Sequence, residues 1–200
     1  MTVTELVFPA FKPESAEAGF AALLNAAKTL DMIQEIVFHG IGHVLRNTDA
    51  QVEKELRPFA CLVWDNTQSF HTIFPNSSIF REFVGPMKVF LAAPPAPRLF
   101  EPAPGYGSSA EVWKEKAFHI FVGEFKERKE EVGDMWKNFI DGLRGSAQGK
   151  EMKEWMGYGI EGEGGRWLGI LGLNSIEGVD EAIVKRLGEI ETWIVKNVDC

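Results

Sequence analysis

The stretch EIVFHGIGHVLRN, residues 35–47, holds the choice between two folds. Read as a helix, it sets His39 and His43 four residues apart on one face, the spacing of a metal clamp. Read as a strand, it alternates. Val37, His39, Ile41, His43 and Leu45 then share one face, and Phe38, Gly40, Gly42 and Val44 share the other. Four residues of strand span about 13 Å, whereas ligands of one zinc lie about 2 Å from it. A regular strand therefore cannot clamp one ion with this pair. The chain has no C-x-x-C and no H-E-x-x-H, so no metal is expected.

The rest of the chain favours the strand. Residues 92–110, AAPPAPRLFEPAPGYGSSA, carry five of the ten prolines and fall at the midpoint, which invites a search for a repeat. The first half opens with a strand-like run, ELVFPAFK. The helical stretch ESAEAGFAALLNAAKTL follows, with Phe20, Leu23, Leu24, Ala27 and Leu30 at helical spacing. Next come residues 35–47, the polar TDAQVEKEL and the β-rich RPFACLVWD. Two helical stretches flank Pro75, and PRLFEP closes the half.

The second half repeats this order. KAFHIFVGEFK is a strand. KEEVGDMWKNFIDGL is a helix with Val132, Met135, Trp136, Phe139, Ile140 and Leu143 on one face. EWMGYGIEGEG and RWLGILGLN form a strand pair, SIEGVDEAIVKRLGEI a second helix and ETWIVKNV the last strand. Phe11-Lys12 matches Phe125-Lys126, and Arg57 matches Arg166. Asp65-Asn66 matches Asn174-Ser175, and His39-Gly40-Ile41 matches Tyr158-Gly159-Ile160. His119 falls near the place of Glu5.

Each half therefore reads β-α-β-β-α-β, a ferredoxin-like unit whose helices cover one face of its sheet. The bare faces need cover, and two halves can bury theirs against each other. The expected class is α+β: two fused ferredoxin-like halves, residues 1–104 and 111–200, forming an intrachain α+β barrel. Residues 105–110 are expected to be a flexible linker.

Composition narrows the partners. A formal net charge of -8, with no basic run, argues against nucleic acid and anionic membrane surfaces. Cys61 sits in an apolar run and Cys200 ends the chain, which suits a reducing compartment rather than a disulfide framework. The opening MTVTELVFPAF has no basic region before an apolar run, and no stretch of about 18 apolar residues occurs. A cytoplasmic protein is expected. EGEGG, residues 161–165, reads as a hairpin turn rather than a phosphate cradle, and no G-x-S-x-G elbow exists. Five of the six tryptophans fall at core-like positions of the second half. The chain has four histidines, and histidine titrates near neutral pH, which suits proton transfer. His39, His71 and Tyr158, with His43, are the acid–base candidates. Three of these four residues lie in the first half, which is expected to hold the working site.

ELVFPAFK, LVWDNTQSFHTIFPNSSIFREFVGPM and LGLNSIEGVDE resemble tandem members of the dimeric α+β barrel superfamily. That group includes the antibiotic-biosynthesis monooxygenase-like, EthD-like and stress-responsive A/B barrel families. The W-D-x-x-x-S-F run at Trp64–Phe70 is typical of fungal proteins with two such halves. The resemblance implies ligands held between a sheet and its helices, without metal or organic cofactor. It implies a cofactor-independent isomerase, cyclase or lyase acting by acid–base chemistry on a small apolar polyketide-like or aromatic secondary metabolite. A non-catalytic small-molecule-binding or stress-related barrel is the alternative, and a cofactor-free monooxygenase a second one. Plant relatives carry a catalytic histidine in an H-P-x-H segment, where this chain has FPNSSIF. Some relatives bind haem through a histidine, and nothing here singles out such a ligand. The expected partner is a small apolar molecule, and a homodimer stays open.

Overall fold

A computed structural model describes residues 1–47, 50–51, 56–75, 77–125, 128–145, 152–174, 187 and 190–198. In the first half lie β1 (Val3–Val7), α1 (Ala16–Ala27), β2 (Ile36–Asn47), β3 (Ala50–Gln51) and β4 (Pro58–Trp64). They are followed by α2 (Thr67–Ile73), α3 (Ser78–Val84) and β5 (Arg98–Pro102). The second half holds β6 (Ala117–Glu124), α4 (Lys129–Arg144), β7 (Lys153–Gly159), β8 (Arg166–Leu173) and β9 (Ile190–Val198). The helix expected over SIEGVDEAIVKRLGEI falls almost wholly outside the described residues.

Residues 35–47 are strand. The sheet runs β3-β2-β4-β1-β5-β7-β8-β6-β9, and β9 pairs back onto β2. Every pairing is antiparallel. Within each half the first strand lies between the third and the fourth, as a ferredoxin-like unit requires. The fourth strand of each half pairs with the second strand of the other, through β5–β7 and β9–β2. Eight strands thus close into a barrel within one chain. Closure satisfies sheet edges that two separate units would leave open.

Alternation along the strands sorts three cores. Leu6, Phe59, Val63, Phe100, Ile120 and Leu168 fill the barrel interior from both halves. Outside it, Val3, Val7, Ala60 and Leu62 face α1, whose Leu23, Ala26 and Ala27 are buried. On the other side Phe121, Met156 and Leu171 face α4. Its buried Val132, Trp136, Phe139, Ile140 and Leu143 form one stripe at helical spacing.

Residues 105–108 of the expected linker are irregular, and its last two residues open a short helix that runs on into the second half. Ser109–Lys114 form a short 3-10 helix, and Ser109, Ala110, Val112 and Trp113 are buried. The Trp113 ring sits in the barrel interior against Phe59 and Phe118. Its Nε1 donates to Ser109 Oγ at 3.2 Å, and Ser109 Oγ lies 2.6 Å from Thr4 Oγ1 of β1. Proline and glycine content marked a loop here, but the apolar side chains just beyond it plug the barrel.

The ladders also correct one match between the halves. Leu62 of β4 stands opposite both Glu5 and His39. Its counterpart Leu171 of β8 stands opposite His119 and Glu154. Glu5 therefore corresponds to His119, and His39 to Glu154. By the same register His43, opposite Pro58, corresponds to Tyr158, opposite Trp167. β2 and β7 are equivalent strands, but matching Gly40 to Gly159 slid them by four residues. The equivalent glycines are Gly42 and Gly157, opposite Phe59 and Leu168. Glycines of the second half seat tryptophans: a Cβ on Gly169 would collide with the Trp136 ring, and one on Gly123 with that of Trp167.

His119 is 4% exposed and stacks on Phe121 at 4.2 Å between ring centres. Burial, helped by the Arg46 charge, pushes its pKa down from 6.5 to about 3. The folded chain holds it neutral, while an unfolded chain protonates it below about 6.5. Its contribution to stability is complete above that pH and is lost progressively as the pH falls toward about 3. His119→Leu is expected to move the acid-unfolding midpoint to lower pH, read by circular dichroism. An unchanged midpoint would remove His119 from the account of acid lability. No helix among the described residues is long and apolar enough to cross a membrane.

Candidate active site

The strand order puts an acid where the outer face of the first half is otherwise apolar. On β1, Val3, Glu5 and Val7 point toward the helices, and the residues across from Glu5 are Leu62 of β4 and Leu99 of β5. Glu5 is 4% exposed. Trp64, two residues beyond Leu62 on the same face, is its diagonal neighbour, within reach for a long side chain. Its indole Nε1 donates to Glu5 Oε2 at 2.7 Å. Burial raises the Glu5 pKa from 4.5 to about 7, and the Trp64 hydrogen bond opposes only part of that rise. Glu5 is thus set to take up or release a proton near neutral pH.

This carboxyl lines a cavity between sheet and helices. Val7, Ala60 and Leu62 form the floor, and Leu23, Leu30 and Ile33 form one wall. Ile73, Phe74, Phe80 and Phe83 form the roof, and the rim carries Leu91, Pro95 and Pro97. The enclosed cavity is only about 50 Å³, within a void of about 690 Å³ counted out to the open rim. A flat ring must therefore part the roof to enter. The roof is built to hold together modestly: α2 and α3 have seven residues each. Their starts are fixed by caps, since Asn66 Oδ1 accepts from Ser69 N and Ser77 Oγ from Phe80 N. Aromatic contacts run along this segment. Trp64 meets Phe70 edge-on, Phe70 stacks on Phe74, and Phe74 meets Phe80 edge-on at 4.5 Å.

Among the described residues, the matching face of the second half carries packed rings. His119 occupies the Glu5 position, and the rings of Phe121, Trp136 and Phe139 pack together over that sheet. Among the described residues, all that line the Glu5 cavity come from the first half.

The four acid–base candidates named from sequence do not line this cavity. His39, on the outer face of β2, places Nε2 2.8 Å from Asp31 Oδ1. His43 lies further along β2 opposite Lys196, and burial, aided by that ammonium, lowers its pKa. His71 projects from α2 to Glu161 of the second half at 2.6 Å, with both groups well exposed. Tyr158 lies in the second helix layer, where its hydroxyl donates to the Lys129 carbonyl at 2.7 Å. Burial, with the Glu130 charge, raises its pKa. No two of these four are bonded to each other.

Glu5 was legible in part. It is the acid in ELVFPAFK, it alternates with Val3 and Val7, and the repeat sets it against His119. Two ionisable residues at one repeat position on an aliphatic face are the signal. Histidine count pointed elsewhere. Among the described residues no group of three or more His, Cys, Asp or Glu is arranged to hold a metal.

No protein-family model matches the chain, and no curated protein is similar to it in sequence. Solved structures are similar in fold. A candidate chlorite dismutase superposes with a TM-score of 0.65 at 7% identity, covering 100% of this chain and 96% of that one. A candidate monooxygenase from Lactobacillus acidophilus superposes at 0.58 with 11% identity, covering 99% of both. An anthrone oxidase-like protein superposes at 0.60 with 12% identity, covering 99% of this chain and 91% of that one. The chain has the dimeric α+β barrel fold, closed by its own two halves.

Proposed function

We propose that this chain is a small-molecule enzyme working by acid–base chemistry in the first-half cavity, with Glu5 as the proton-transferring group. One observation carries this reading: a fully buried carboxyl in an apolar cavity, with its pKa raised to about 7. Keeping such a group costs stability. A passive container has no use for that cost, whereas a general base works best with a pKa near the ambient pH. Glu5 takes the proton from an acidic C–H or O–H of an aromatic, polyketide-like substrate, and the negative charge spreads into the ring. The Trp64 indole holds one carboxyl oxygen and leaves Oε1 for the substrate. Return of the proton to another carbon completes an isomerisation, and loss of a leaving group or ring closure completes a lyase or cyclase step.

A second reading shares the first step. A carbanion of this kind can react with dioxygen instead, and the names of two structural neighbours, a candidate monooxygenase and an anthrone oxidase-like protein, favour it. Anthrone tests both. In deuterated buffer the protein is expected to speed exchange at the anthrone methylene above the uncatalysed rate, with a rise centred near pH 7. Oxygen uptake that matches anthrone consumed selects oxygenation, and exchange without uptake selects proton shuffling. Tight binding of anthrone with neither exchange nor uptake would overturn the enzyme reading in favour of a carrier.

A further inference from the structure

We infer that the substrate enters this cavity as a neutral molecule with one weakly acidic hydroxyl or C–H, and that carboxylates, phosphates and sulfates are refused. The inference rests on the acid–base reading of Glu5. Among the described residues, the lining contains no lysine, arginine or histidine. Glu5 is the one ionisable side chain among the described lining residues. The indole N–H of Trp64, a donor an anion could use, is already given to Glu5 Oε2. Backbone donors are thinned as well, because Pro9, Pro95 and Pro97 of the lining have no N–H.

Nearby cations are turned away. Arg98 follows Pro97 in the chain but stands opposite Leu6, whose side chain fills the barrel interior on the other face of the sheet. Its Nε donates to Glu163 Oε2 at 3.1 Å. Lys12 gives its ammonium to the Val89 carbonyl at 2.9 Å.

Charge accounting makes this a selection rule. A neutral acid that hands its proton to the Glu5 carboxylate becomes an anion as Glu5 becomes neutral, so the cavity holds one negative charge before and after transfer. A substrate already carrying a carboxylate would put two negative charges in an apolar space. At about 4 Å and an effective dielectric near 20, that repulsion exceeds the cost of protonating Glu5, so Glu5 takes a proton from solvent as the anion binds; with its pKa at about 7 this costs about 10-fold in affinity at about pH 8.

A matched pair of naphthalenes tests the rule by titration calorimetry at about pH 8, where a phenol is still un-ionised. 2-Naphthol is expected to bind the wild-type chain, and 2-naphthoate at least about 10²-fold more weakly, because the lining gives the carboxylate no cation and Glu5 must first be protonated. In Glu5→Gln, which removes the charge and keeps an acceptor, the gap is expected to narrow by about 10-fold, the rest staying with a lining that offers an anion no cation. Equal affinity for the two ligands in the wild-type chain overturns the selection rule. It leaves the acid–base reading standing if Glu5→Gln still abolishes exchange at anthrone. A gap that does not narrow in Glu5→Gln also overturns the rule, since the Glu5 charge then has no part in it. Binding of neither ligand to folded protein overturns both readings.

Discussion

Glu5→Gln is expected to lower turnover of a carbon acid such as anthrone by about 10²- to 10⁴-fold, the usual contribution of a general base. The fold is expected to survive, because glutamine keeps the shape of the side chain and can still accept from Trp64 Nε1. Stability supplies an independent check with the opposite sign. The folded pKa of Glu5 is raised to about 7 from 4.5. Its contribution to stability is therefore complete below about 4.5 and is lost as the pH rises through about 7. Above that pH the ionised carboxylate strains the native state by an amount on the order of 3 kcal/mol. Glu5→Gln is thus expected to stabilise the chain against urea at about pH 8, relative to its effect at about pH 4. A variant that loses activity and gains alkaline stability is the signature of a carboxylate kept for chemistry. A variant that keeps turnover would return the search to the histidines.

Trp113→Ala is expected to destabilise the chain by about 3–5 kcal/mol, a large part of what a domain has. Trp113 is completely buried in the barrel interior, between strands of both halves. Its loss leaves a void and strips Ser109 of the indole donor. Urea unfolding followed by circular dichroism reads the change. A tether would tolerate the substitution with a loss below about 1 kcal/mol. Such a result would mean that the two halves stand without the plug.

The fold was legible because it rests on patterns that the backbone enforces. Alternation over residues 35–47 and the recurring order of elements are properties of strands and helices, and the barrel follows from them. What was misread depended on packing between distant residues. The proline-rich stretch gives no sign that Trp113, just beyond it, plugs the barrel, because that burial depends on Phe59 and Phe118, which lie on other strands. The slip that paired His39 with Tyr158 arose because G-x-G patterns can align in more than one way. Only the opposing strand fixes the count, and it sets His43 beside Tyr158 in the repeat. The site was half legible for the same reason. His39, His43, His71 and Tyr158 have the right chemistry, but the ladders and helices send them to separate partners. Glu5 looks in sequence like a charged residue near a strand end. Its chemistry comes from Leu62, Leu99 and Trp64, which three-dimensional closure brings to its side.

The acid–base reading requires Glu5 to titrate near neutral pH inside its apolar cavity. Carbon-13 NMR of the side-chain carboxyl carbons, with the Glu5 signal identified by its absence in Glu5→Gln, reads that pKa directly. The predicted result is a single transition centred at about 7. A transition at the ordinary value of 4.5 would contradict the account, because a carboxylate fully ionised at neutral pH is a weaker base and needs no cavity to shelter it.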